Sequence, residues 1–329
     1  MKVLFCHRVT PVLRDHYRSS LPEGIELIFP NDLSDSELQR YAPDIEVAVG
    51  YKFTKEFLDQ AQKLRHIQIP WTGVETLDFE LMKRYSNLTI SNSHSNSLAI
   101  AEHAVALFLS AAKKIVYRDS VMRKGDWSTR YNDVTSQWLS RKTLGVIGYG
   151  AIGSKVARMM KQGFNMQIYA IKRHPTTDQT EEVDFIGTLD SLDYVIKKSD
   201  YLLIALPLTP ETKGLIRERE LALLKPNVVL VNIGRGDVIN EKDLYDFIEK
   251  SELAAVGLDV WYNYPKDRKK PLVKQNSPFE ELPYLVMSPH SAFKVESREI
   301  PFTEDIISNL KAIYNQEEPQ NRVNINEEY

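Results

Sequence analysis

The sequence predicts an α/β protein of two parallel sheets, each with helices on its faces. Three observations carry that expectation. Short apolar runs alternate with segments of helical periodicity in two series, one before residue 97 and one after residue 142. Such alternation makes parallel strands joined by helical crossovers. An apolar run at 144–147 leads through Gly148, Gly150 and Gly153, spaced G-x-G-x-x-G, into a helical pattern at 155–161. The chain's 329 residues suit roughly two domains of ordinary size.

In the first series, residues 3–5, 25–29, 45–49, 67–69 and 88–90 read as strands. The segments between them are helical; 54–64, for example, carries Phe57, Leu58 and Leu64 on one face. Open α/β sheets bind ligands beyond the carboxyl ends of their strands. Two glycine turns lie at such ends, Val49-Gly50-Tyr51 and Trp71-Thr72-Gly73-Val74. Cys6, the single cysteine, sits on the first apolar strand, so no disulfide framework exists and a buried inert thiol is expected. A net charge of −3 gives no general attraction to nucleic acid or anionic membrane. The early charges in MKVLFCHRVT do not make a signal peptide, and the apolar stretch 98–112, interrupted by Glu102 and His103, is too short to span a bilayer. A cytoplasmic protein is expected.

Residues 98–115 form a strong helix capped by Asn96 or Ser97. It is apolar nearly all round, so it should be buried, between domains or between subunits. The polar segment 117–141 holds Trp127 and Trp138, and aromatic residues there suit a subunit interface. In the second series, six strands are expected at 144–147, 167–171, 201–205, 228–232, 254–259 and 284–287, with helices at 190–198 and 241–251. The first glycine of the loop allows a sharp turn. The second lets the backbone approach a pyrophosphate, and the third lets helix and strand pack closely. The helix N–H groups then face the phosphates. Residues 295–314 make an amphipathic helix through Ile300, Ile306, Ile307, Leu310 and Ile313, returning to the N-terminal domain. The basic run Lys266-Asp267-Arg268-Lys269-Lys270 reads as a solvated loop.

Several segments resemble, in order, those of the D-2-hydroxyacid dehydrogenases. They begin with 72–78 (TGVETLD), Ala101-Glu102-His103 and the strand with its glycine loop. Then come 206–212 (LPLTPET), 231–236 (VNIGRG), Gly257-Leu258-Asp259-Val260 and Ser288-Pro289-His290. The resemblance implies two doubly wound parallel-sheet domains with the active site in the cleft between them. Residues 1–97 plus 293–329 would form a flavodoxin-like substrate domain, and residues 98–292 a Rossmann coenzyme domain. It also implies a homodimer through the coenzyme domain. The cofactor is expected against Gly148, Gly150, Ala151, Ile152 and Gly153, with Lys172 and Arg173 at its far ribose. Leu206, Pro207, Thr212, Ile233, Asp259 and His290 complete that expected set. No metal ligands are assigned.

Reducing a 2-oxo acid needs a hydride donor, a cation for the carboxylate and a proton donor near the carbonyl oxygen. The nicotinamide supplies the hydride. Arg235, in a glycine-flanked turn after a strand, can hold a carboxylate through two parallel hydrogen bonds and polarise the carbonyl. His290, just after another strand, can exchange a proton near neutral pH. Backbone N–H groups around Gly50, Tyr51, Thr72 and Gly73 are expected to complete the carboxylate site, and Tyr51 and Trp71 to shape the side-chain pocket. One position departs from the family pattern: Tyr264 stands before Pro265, where a glutamate normally pairs with the catalytic histidine. A neutral phenol orients an imidazole without holding its proton, so His290 should have a lower pKa than in glutamate-bearing relatives. Glu280 and Glu281 are nearby carboxylates that could substitute.

Cofactor choice is the second departure. An acidic residue about 20 positions beyond the glycine loop normally bonds the ribose 2′-hydroxyl of NAD. Here the strand at 167–171 runs into Lys172-Arg173-His174-Pro175. Those cations attract a 2′-phosphate, so NADP(H) is expected over NAD(H). The expected activity is reduction of a small 2-oxo acid such as glyoxylate or hydroxypyruvate, with D specificity. The alternatives are a dinucleotide-sensing protein like the corepressors on this scaffold, or a formate-type dehydrogenase.

Overall fold

A computed structural model describes residues 1–174, 182–250, 255–267 and 269–329. Pro175, Ser251, Ala254 and Arg268, each placed above in a loop, helix or strand, lie outside the described residues. The chain divides into two compact units, Met1–Asn96 with Val295–Tyr329, and Ser97–Lys294.

The first unit holds a parallel sheet of five strands: β1 (Lys2–Phe5), β2 (Glu26–Ile28), β3 (Val47–Val49), β4 (His66–Gln68) and β5 (Thr89–Ser91). Their order is β2-β1-β3-β4-β5. Successive side chains point to opposite faces, so Val3 and Phe5 pack on one side with Val47 and Val49, while Leu4 and Ala48 pack on the other. The first face is closed by Tyr17 and by Ile306, Ile307, Leu310 and Ile313 of the returning helix Glu304–Tyr314. Asn309 on that helix is fully buried and satisfies both ends of its amide. It donates to Gln68 Oε1 at 2.8 Å and accepts from the Gln320 N–H at 2.8 Å. Such a paired buried amide fixes where the helix sits.

The second unit corrects the expectation of six strands. Among the described residues its sheet has seven: β6 (Thr143–Ile147), β7 (Gln167–Ile171), β8 (Phe185–Gly187), β9 (Tyr201–Ile204), β10 (Val229–Asn232), β11 (Ala255–Leu258) and β12 (Leu285–Met287). All pair in parallel, in the order β12-β11-β10-β9-β6-β7-β8. The additional strand, β8, is a half-buried edge run of three residues, too short for periodicity to reveal. The helix Ser97–Ala112 lies on this unit's own sheet, where Ala101, Ala104, Leu107 and Phe108 join Val146, Val231 and Ala255 in one core. Small residues let it approach closely, and a Cβ on Gly257 of β11 would meet Leu107 Cβ at 3.0 Å. Winding runs from β6 outward to β8, then restarts at β9 on the other side of β6. The loops after β6 and β9 therefore diverge, and it is at such a switch point on the carboxyl edge that open α/β sheets bind ligands.

Candidate active site

The glycine loop after β6 has the shape a pyrophosphate needs. Gly148 adopts φ +107°, and a Cβ there would meet the Ala205 carbonyl oxygen at 2.6 Å. A Cβ on Gly153 would lie 2.2 Å from the Gly148 oxygen, so the helix could not sit this close to its own turn with any other residue. The helix Ala151–Phe164 begins at Gly150, whose lack of a side chain leaves the leading N–H groups of Ala151 and Ile152 uncapped. These donors and the positive helix end fit a dinucleotide phosphate.

Two loops flank this turn. After β7, Lys172 and Arg173 are half-buried, and Arg173 Nη2 donates to Glu211 Oε2 at 2.5 Å. Glu211 belongs to the turn after β9, where Leu206 and Pro207 lie. Thr212, expected at the cofactor, is 5% exposed and ties that turn together: its hydroxyl accepts from the Thr209 N–H at 2.8 Å and donates to the Pro207 oxygen at 2.7 Å. Ile233 is likewise a core residue, with its N–H on the Ile204 oxygen.

Arg235, His290 and Tyr264 follow β10, β12 and β11, three neighbouring strands. The Arg235 turn is locked on both sides. A Cβ on Gly234 would meet the Leu206 oxygen at 2.4 Å, and one on Gly236 the Trp261 oxygen at 2.4 Å. Asn232 pins the same turn, accepting from the Gly234 N–H and donating to the Arg235 oxygen, each at 3.0 Å. The half-buried guanidinium also donates to the Gly234 oxygen at 2.7 Å.

His290 adopts φ +54°, a left-handed conformation that costs a non-glycine residue energy unless its surroundings impose it. Asp259 supplies part of that imposition. Its carboxylate, 2% exposed, accepts from the Ser291 N–H at 3.0 Å and the Ala292 N–H at 3.2 Å. His103 Nε2 lies 3.5 Å from the same carboxylate, beyond good hydrogen-bond geometry, so the two form an ion pair only when His103 is protonated. The Tyr264 ring contacts the His290 ring, with centroids 5.5 Å apart and planes inclined by 50°. The Tyr264 oxygen accepts from the Trp261 N–H at 2.9 Å, and Trp261 Nε1 donates to the Ser288 oxygen at 2.8 Å. Glu280 and Glu281, the suggested substitutes for glutamate, are exposed on the turn Phe279–Glu281.

In the first unit, the Gly50 N–H is bonded to the Gln68 oxygen at 3.0 Å, which continues the ladder past β3. The Tyr51 and Trp71 rings pack at 4.4 Å, forming one aromatic surface. Thr72 is anchored through its hydroxyl to the Ser93 oxygen at 3.0 Å and Asn96 Oδ1 at 2.9 Å, which presents the Thr72-Gly73 turn at the same sheet edge. Sequence reading gives no role to Asn232, Trp261 or the side chain of Glu211, and takes His103 as a packed helix histidine. Asn232 is legible as a polar residue at a strand end, whereas the partners of His103, Trp261 and Glu211 include residues from distant segments.

A wound sheet with a glycine loop at its switch point, and an arginine and a histidine on its carboxyl edge, defines a dinucleotide-binding α/β class. Residues 105–292 match the model of the D-isomer specific 2-hydroxyacid dehydrogenase NAD-binding domain. A glyoxylate reductase of Pyrococcus furiosus is 32% identical over 83% of this chain and 80% of its own. A D-3-phosphoglycerate dehydrogenase of Methanocaldococcus jannaschii is 27% identical over 96% of this chain, which spans only 59% of that relative's length. The crystal structure of an NAD⁺-bound D-lactate dehydrogenase of Lactobacillus jensenii superposes with a TM-score of 0.75 at 25% identity, over 98% of this chain and 100% of that one. The chain belongs to the D-isomer-specific 2-hydroxyacid dehydrogenase family.

Proposed function

We propose that the protein is a reductase of small 2-oxo acids, of the size of glyoxylate or hydroxypyruvate, which prefers NADP(H) and forms D products. The observation that carries this reading is the placement of Arg235 and His290 on turns fixed from below, at the same sheet edge as the glycine loop. The bound nicotinamide nucleotide would supply the hydride. Ala151 and Ile152 would hold its pyrophosphate, while Lys172 and Arg173 would face the adenosine ribose. The second unit is thus read as the coenzyme domain and the first as the substrate domain.

Arg235 would grip the substrate carboxylate with two N–H groups and draw electron density from the neighbouring carbonyl. His290 Nε2 or Nδ1 would give its proton to the carbonyl oxygen in reduction and take it back in oxidation. Asp259 and Tyr264 would act through His290, the first by fixing its loop and the second by packing on its ring. On the first unit, the N–H groups of Tyr51, Thr72 and Gly73 would be donors for a carboxylate, and Tyr51 with Trp71 an apolar wall for a substrate side chain.

A homodimer through the coenzyme domain is supported by Trp127, Tyr131 and Trp138, which are 59%, 78% and 77% exposed on the second unit. A cytoplasmic setting belongs to the same reading. The test is nicotinamide oxidation against a panel of 2-oxo acids, with NADPH and NADH in parallel. Turnover of at least one acid, faster with NADPH, is expected. Tight dinucleotide binding without turnover of any acid would replace the enzyme by a sensor.

A further inference from the structure

Arg173 and Glu211 are 38 residues apart in sequence, yet their side chains meet at 2.5 Å. Arg173 follows β7 and Glu211 follows β9, the two strands on either side of β6. The ion pair therefore bridges the loops that flank the glycine turn. Glu211 is 66% exposed, but its turn is held by the Thr212 hydroxyl, which accepts from Thr209 and donates to Pro207. Its carboxylate is consequently presented toward Arg173 from a fixed base. No carboxylate among the described residues pairs with Lys172.

This geometry bears on cofactor discrimination, and it rests on the reading that Arg173 faces the adenosine ribose. A 2′-phosphate at that ribose and the Glu211 carboxylate are two anions competing for one guanidinium. To bind the phosphate, Arg173 must leave Glu211 or share its N–H groups, while the carboxylate repels the incoming charge. A 2′-hydroxyl brings no charge. The Arg173–Glu211 pair can then remain, and the second carboxylate oxygen is an acceptor for the hydroxyl. Residues 172–174, which directly follow β7, include no carboxylate, and Glu211 brings one to Arg173 from the neighbouring loop.

We propose that Glu211 is a specificity-determining residue that tempers the preference of Arg173 for a 2′-phosphate, so that its charge sets the ratio of NADPH to NADH affinity. The experiment measures Kd for both nucleotides by titration of the full chain without substrate, in wild type, Glu211→Gln, Glu211→Ala and Arg173→Gln. Both Glu211 variants are expected to tighten NADPH about three- to tenfold, and to leave NADH unchanged or weaker. Arg173→Gln is expected to weaken NADPH about tenfold or more, with little effect on NADH. Glu211 variants that leave NADPH affinity unchanged or weaken it would overturn the proposal, even where Arg173→Gln weakens NADPH. An Arg173→Gln variant that binds NADPH as wild type does would instead overturn the reading of Arg173 on which the proposal rests.

Discussion

Arg235 has little freedom, because the two glycines beside it touch the Leu206 and Trp261 backbones and Asn232 bonds its turn twice. A lysine at 235 would keep the charge and lose the planar fork, so Arg235→Lys is expected to lower kcat/KM roughly hundredfold, mostly through KM. Asp259 is proposed to work at one remove, through the His290 loop. Asp259→Asn keeps one acceptor oxygen for two N–H groups, and is expected to cost about 1–3 kcal/mol of stability and to lower kcat with nucleotide Kd nearly unchanged. A raised nucleotide Kd with kcat preserved would return Asp259 to the cofactor. Tyr264 gives a pH signature. A carboxylate at this position favours the protonated imidazole, which is the acid needed in reduction. Tyr264→Glu is therefore expected to move the fall of the reduction rate to higher pH, by about one unit. An unmoved pH–rate profile would show that the ring contact does not carry electrostatic control.

Elements show where sequence reading succeeds and where it stops. Strands such as β6 and β10 are continuous runs buried on both faces, and β-branched residues between turn signals reveal them. β8 is three half-buried residues at a sheet edge, and its pairing with β7 rather than its pattern makes it a strand. The glycine loop was legible because its spacing has a mechanical meaning. The occupied N–H of Gly50 was not, since its acceptor on Gln68 belongs to another strand. The Arg173–Glu211 pair was hidden for the same reason: sequence shows two charges, and topology brings them together. β4 also carries a test of its own. Burial pushes the His66 pKa from 6.5 down to about 4, so the folded chain holds this imidazole neutral. A lowered pKa means stability present above 6.5 and lost as pH falls through about 4, worth about 3 kcal/mol in full. Denaturation at neutral pH and near the lower value should show this loss, and His66→Gln should reduce it; an equal loss in the variant would place the acid sensitivity elsewhere.

At the scale of the whole molecule, each unit repeats one physical solution: a parallel sheet whose turns at the carboxyl edge carry the polar chemistry. The second unit exposes Trp127, Tyr131 and Trp138, which the proposed dimer would cover. Replacing all three by serine is expected to turn a dimer into a monomer in sedimentation, and a wild-type monomer would contradict the assembly. In the proposed reaction His290 passes the proton in reduction of a 2-oxo acid. Its most direct measurement is kcat for the best acid in wild type and His290→Ala, beside nucleotide Kd in both. A fall in kcat of about a hundredfold or more with Kd retained is the expected result. Turnover that survives the substitution would contradict the assignment and move the acid to another group.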